Sequence, residues 1–237
     1  MTDVSSRFPQ RLPRTRLYEQ VAEQISVWIT ENGLQAGDRL PPERELAVRL
    51  GVSRATLSQA LVALEVVGVV AVRHGDGTVL TGVAASGRVT DAIRAHADRL
   101  PDVIEARDAL ETKLAALAAQ RRTDRDVAAI NHALEQMERD IEAGGRGVEG
   151  DELFHSAVTA AAYSPLLGAM MRTIAELIVE TRLESLSQPG RPRDSLAGHR
   201  RVADAIAAGD ADAAAAAMHE HVAMVSDVAL LRERPSD

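Results

Sequence analysis

The chain has 237 residues, 46% of them hydrophobic, no cysteine and a formal net charge of −8. That length can fill two modest cores. The missing cysteines exclude disulfides, thiolate nucleophiles and cysteine-based zinc sites, and no run reaches the roughly 18 apolar residues that a membrane span needs.

No secretory segment follows Met1, so a cytoplasmic location is the expectation. Lys113 is the single lysine and has no P-loop pattern around it. The acidity is unevenly spread. Residues 1–82 hold nine arginines and nine acids, which cancel, leaving 18 basic and 26 acidic residues for the remainder and the whole deficit of eight. A neutral first part with Arg7, Arg11, Arg14 and Arg16 at its start is compatible with nucleic acid; the acidic remainder is not a DNA surface.

In chain order, residues 1–15 are polar, contain Pro9 and Pro13, and read as an arm. A helix over 17–31 places Val21, Ile25, Trp28 and Ile29 on one side, and Gly33 and Gly37 end it. Pro41 and Pro42 open a short helix with Leu46 and Leu50 four residues apart, stopped at Gly51. Ser53 stands at an N-cap position before a longer helix with Leu57, Leu61 and Leu64 inward. Two helices joined so tightly form a helix-turn-helix. After Gly68 the period changes to two, with strands around Val69–Val72 and Thr78–Leu80 and a turn at His74-Gly75-Asp76-Gly77, which completes a winged helix. With the leucines inward, Ser53, Arg54 and Thr56 crowd the exposed first turn, where hydroxyls and a guanidinium can meet phosphates and base edges. The helix N-terminus adds partial positive charge, and Arg44 is placed to touch phosphate.

The run PPERELAVRLGVSRATLSQAL followed by His-Gly-x-Gly resembles the DNA-reading domain of the GntR family of bacterial transcription regulators, over residues 17–80. The resemblance implies DNA contacts from Arg44, Ser53, Arg54, Thr56, His74 and Gly75. Ser58 departs from it, standing where many relatives have a second arginine.

Residues 83–90 are small and polar and read as a linker; beyond them every segment has helical period. The expected architecture is therefore mainly α: a winged helix-turn-helix domain over 16–82, an all-α antiparallel bundle over 91–232 and a tail over 233–237. Helices are expected near 90–99, 101–121, 123–143, 148–162, 165–187, 194–208 and 210–232. Ionisable residues fall on the inner faces. Arg107 shares a seam with Val103, Leu110, Leu114 and Leu117, so it needs an anion: either Glu111 one turn on, or the carboxylate of a small effector. Asp151 and His155 lie four apart on one face, His199 aligns with Leu196, Val202 and Ile206, and His221 aligns with Met218 and Val225. An aspartate and three histidines on bundle helices suggest ligands for a divalent metal with positions left open.

These residues also resemble the FCD effector domain of the FadR-like subfamily: Asp-x-x-x-His, a histidine heading a helix that closes with Ala-Ile-x-x-Gly-Asp, and a further histidine 22 positions on. In its metal-dependent members the resemblance implies that Asp151, His155, His199 and His221 bind zinc first of all, with nickel or manganese as alternatives, and that a small carboxylic acid completes the shell. Ser164-Pro165 stands where relatives often have Asn-Pro. The function implied is a ligand-responsive repressor acting as a homodimer on a palindromic operator in double-stranded DNA. Alternatives are an acyl-CoA or the metal itself as the signal, or a metalloenzyme activating water.

Overall fold

The computed structural model describes residues 17–73, 77–81 and 89–226. The expected arm, His74 and Gly75 at the wing tip, residues 83–88 of the expected linker and the tail lie outside the described residues. The N-terminal part comprises α1 (Leu17–Glu31), α2 (Glu43–Leu50), α3 (Arg54–Val66), β1 (Val70–Arg73) and β2 (Gly77–Leu80). The strands pair antiparallel, Val70 opposite Leu80 and Val72 opposite Thr78. Leu40 donates to Thr78 and Leu80 to Asp38, so the segment before α2 is stitched to the wing. Gly51 ends α2 at φ 66°, a left-handed conformation that a side chain would strain. The expected apolar positions are buried: Val21, Ile25, Ile29, Leu46, Leu57, Leu61 and Leu64 form one core, with Trp28 packed at its edge.

The C-terminal part is all helical: α4 (Val89–Arg121), α5 (Asp124–Glu142), α6 (Val148–Ala161), α7 (Pro165–Thr173), α8 (Ala175–Leu186), α9 (Arg191–Ala208) and α10 (Ala211–Ser226). Three boundaries differ from the sequence expectation. Instead of two helices meeting at Pro101, α4 runs unbroken through it. Proline removes one backbone donor there, and packing at both ends outweighs that loss. Val89 and Ile93 join the winged-helix core, while Ala115, Ala118 and Ala119 enter the bundle core. The expected helix over 165–187 breaks at Ile174 (φ −103°, ψ 6°) into α7 and α8. Residues 169–188 contain neither Gly nor Pro, and nothing in the local sequence explains the break. The loop expected over 187–194 is shorter, because Pro192 enters the first turn of α9. Capping residues sit as their chemistry dictates: Thr123 and Asp126 form a reciprocal capping box, and Asp210 accepts from Ala213 N at 2.9 Å.

Helices α5 and α6 approach closely because Gly150 lacks a side chain. A Cβ there would lie 2.4 Å from the backbone nitrogen of Met137. Backbone cannot give way as a flexible side chain can, so Gly150→Ala is expected to cost about 1–3 kcal/mol. Chemical denaturation checks this, and an unchanged midpoint would contradict it.

Candidate functional site

Two regions carry the chemistry. On the first, Ser53 caps α3, accepting from Thr56 N at 3.0 Å, with its Oγ 2.8 Å from Thr56 Oγ1. The cap fixes the first turn, from which Arg54 projects into solvent. Arg44 is likewise exposed on α2.

The other end of α3 is tied to the helical domain by contacts that sequence reasoning missed. Buried Glu65 takes two hydrogen bonds from Arg146, Nη1 to Oε2 and Nη2 to Oε1, both at 2.8 Å. Glu65 also accepts from Val72 N at 2.8 Å. Arg146 further donates to Ser187 Oγ at 2.5 Å and Val72 O at 3.3 Å. Helix α3, the wing and the end of α8 therefore meet at one guanidinium. Its side chain is 23% exposed, so solvent softens the pair, and Arg146→Ala is expected to weaken the contact by about 1–2 kcal/mol. The two halves should then melt in separate calorimetric transitions; a single unshifted transition would refute this.

The second region lies inside the bundle. Asp151 and His155 from α6, His199 from α9 and His221 from α10 are all buried, with one ligand-type atom from each lying within 4.8 Å of the others. His199 Nε2 is 3.2 Å from His155 Nε2 and 3.1 Å from His221 Nε2. The Asp151 carboxylate stands 3.5 Å from His199 Nε2 through Oδ1 and 3.9 Å from His155 Nε2 through Oδ2. Phe154 stacks on the His199 ring at 4.1 Å, fixing its plane. Gly198 makes room for His221: a Cβ there would lie 2.8 Å from His221 Nδ1.

Burial drives the pKa of all three imidazoles well below the usual value. Arg182 adds to this at His155 and His199, and His199 adds to it at His221. They are therefore neutral at pH 7, the state a metal requires. The residues fit such an ion on a separate ground. An imidazole nitrogen carries either one proton or one lone pair, so His199 Nε2 can satisfy only one of its two nitrogen neighbours by hydrogen bonding. A cation between them satisfies all three. The separations of 3.1 and 3.2 Å are near the roughly 3.3 Å edge of a tetrahedron built on 2.0–2.1 Å bonds.

A pH dependence follows. In the unfolded chain these imidazoles take up protons below about 6.5, while the folded ones resist. Metal-free protein should therefore lose stability as pH falls through and below 6.5, by up to about 1.4 kcal/mol per pH unit for each histidine. Denaturation midpoints between pH 7.5 and 5.5 in chelator measure this, and a rise in stability toward pH 5.5 would contradict it.

Around the cluster, Arg107 on α4 faces Glu111 through two contacts of 3.3 Å and donates to Thr181 Oγ1 at 3.2 Å. The structure thus pairs Arg107 internally, the first of its two expected partners. Arg182 on α8, which sequence reasoning missed, lies 2.9 Å from Asp151 Oδ2 and 3.7 Å from Glu111 Oε1. Burial lowers its pKa, opposed by Asp151. The signal existed: Met171, Ile178 and Arg182 repeat at seven and four, a helical inner register. Beside the cluster a cavity of about 660 Å³ opens between α6, α7 and α8; His155 and Arg182 line it and Arg107 does not.

Residues 17–80 match the family model of bacterial regulatory proteins of the gntR family, and residues 102–224 match the FCD domain. The chain is 34% identical over 208 residues to the helix-turn-helix-type transcriptional regulator LutR of Bacillus subtilis, covering 84% of this chain and 94% of LutR. It is 31% identical to YcbG, an uncharacterized regulator of the same type from that organism, covering 90% of each. To the Uxu operon transcriptional regulator of Escherichia coli it is also 31% identical, covering 87% of this chain and 84% of that one. No helix among the described residues is long and apolar enough to cross a membrane. The chain belongs to the GntR family of bacterial transcription regulators, with a DNA-binding helix-turn-helix domain followed by an FCD effector domain, and is a regulator rather than an enzyme.

Proposed function

We propose that this regulator represses its target by gripping a palindromic operator as a homodimer and releases it when a small carboxylic acid binds beside a divalent metal. The observation that carries the reading is the three buried imidazoles and one carboxylate turned inward on a common point, at distances a metal ion would satisfy. Asp151, His155, His199 and His221 would hold the ion, whether zinc, nickel or manganese, and the ion would supply a Lewis-acid anchor for a carboxylate. Arg107 and Arg182 balance Glu111 and Asp151 in the same buried region, so a divalent cation leaves an excess of two positive charges. An anionic effector offsets that excess. Arg182 would face it at the cavity wall, with Arg107 behind, joined through Glu111.

On the DNA side, Arg54 would read a base edge while Ser53, Thr56 and Arg44 hold phosphates, with His74 and Gly75 at the wing tip. Arg146, which ties Glu65 of α3 to Ser187 beyond α8, supports a route between the two regions. Selection from a random duplex library with the purified chain tests the reading. The expected product is an inverted repeat with half-sites about one helical turn apart. A direct repeat or no enrichment would overturn it.

A further inference from the structure

The cavity beside the cluster is larger than a two- or three-carbon acid requires. Its volume of about 660 Å³ equals roughly twenty waters at ≈ 30 Å³ each. Its two ends also differ in chemistry. At the inner end stand His155 and Arg182, in contact with Asp151 and the cluster. At the outer end stands Arg172 of α7, an exposed guanidinium. Between them the wall is mostly apolar, from Ile178, Val179 and Met171, with Ser156 and Thr159 on the α6 side.

The separation of the two ends follows from α6. Both Arg172 Nη1 and Thr159 Cγ2 lie beside Gly168, at 3.6 and 3.7 Å from where its Cβ would stand, so Arg172 and Thr159 share one side of the cavity. Thr159 is four residues beyond His155 on the same helix, a rise of about 6 Å. His155 and Thr159 therefore stand about one helical turn apart along one trough, with Arg182 at the His155 end and Arg172 on the Thr159 side. The charge balance at the cluster agrees: the buried pairs cancel, and a divalent ion adds two positive charges.

We infer that this cavity takes a dicarboxylic acid, one carboxylate at the His155 and Arg182 end and the other on Arg172, with a chain of about four to six carbons spanning the turn. This rests on the reading that a carboxylate effector binds beside the cluster and adds the class of acid and the residue that selects it. Arg172 discriminates because a monocarboxylate of equal length brings it no second carboxylate and places an apolar end beside it.

Calorimetric titration of the full chain, loaded with one equivalent of zinc, tests this with succinate, glutarate and adipate against butyrate, valerate and hexanoate. The expected result is a best dicarboxylate at least tenfold tighter than its chain-matched monocarboxylate. In Arg172→Gln, an exposed position, that ratio should collapse to within about threefold, an effect of the size expected for one charge-assisted contact. Equal affinity for both classes in the unaltered chain, or a preference that survives Arg172→Gln, would overturn the inference while leaving a carboxylate effector standing. Binding by neither class would overturn both.

Discussion

Arg54→Ala is expected to weaken specific duplex binding by about ten- to a hundredfold per half-site, the effect of losing one bidentate base contact worth about 1–3 kcal/mol. Arg54 is the first residue of α3, exposed, and carried on a turn that the Ser53 cap holds rigid. Its removal disturbs no buried group, so helicity and melting temperature should stay unchanged. If the protein binds as a dimer, both half-sites lose the contact and the effect multiplies. Arg44→Ala, by contrast, should weaken all sequences alike and lower the salt dependence by about one ion per half-site. Fluorescence anisotropy over a range of salt separates the two. Unaltered specificity in Arg54→Ala would remove it from base recognition.

His199→Ala is expected to lower affinity for a divalent cation by more than about a hundredfold, beyond what loss of an outer partner of a metal ligand produces. His199 is the centre of the cluster: its Nε2 lies within 3.5 Å of His155, His221 and Asp151 alike. It is also fully buried against Phe154, so truncation leaves a cavity and costs stability as well. Gly198→Ala separates the effects, since it keeps every ligand and pushes only on the His221 ring. It should weaken metal binding with a smaller loss of stability. Competition against a chromophoric chelator reads both variants, and unchanged affinity in His199→Ala would exclude the ring as a ligand.

The winged helix was legible because its cues are local: leucines at fixed spacing, a proline entry, a glycine stop and a serine cap all lie within some forty residues. The inward positions of Asp151, His155, His199 and His221 were legible one helix at a time, each from its apolar neighbours. What brings them together is tertiary: the inward positions on bundle helices suggested one shared metal site, and the resemblance to the FCD domain pointed to the same four residues. Arg182 escaped because a charged residue in an apolar register reads as an exception unless its partners are known, and Asp151 and Glu111 lie on other helices. The Glu65–Arg146 pair joins residues 81 apart across the two domains, and no periodicity encodes such a contact. Pro101 misled in the opposite direction, since a strong local breaker was overridden by packing on both sides of it.

The central claim is that the buried histidines and Asp151 form a metal centre in the effector domain, and the thermal stability of the unaltered full chain tests it most directly. Melting temperatures in chelator would be compared with those in stepped concentrations of zinc, nickel and manganese salts. A ligand that binds only the folded state at a thousand times its dissociation constant adds about 4 kcal/mol. At least one of these ions should therefore raise the melting temperature by several degrees, saturating at one ion per chain. Identical melting curves in chelator and in all three ions would contradict the account.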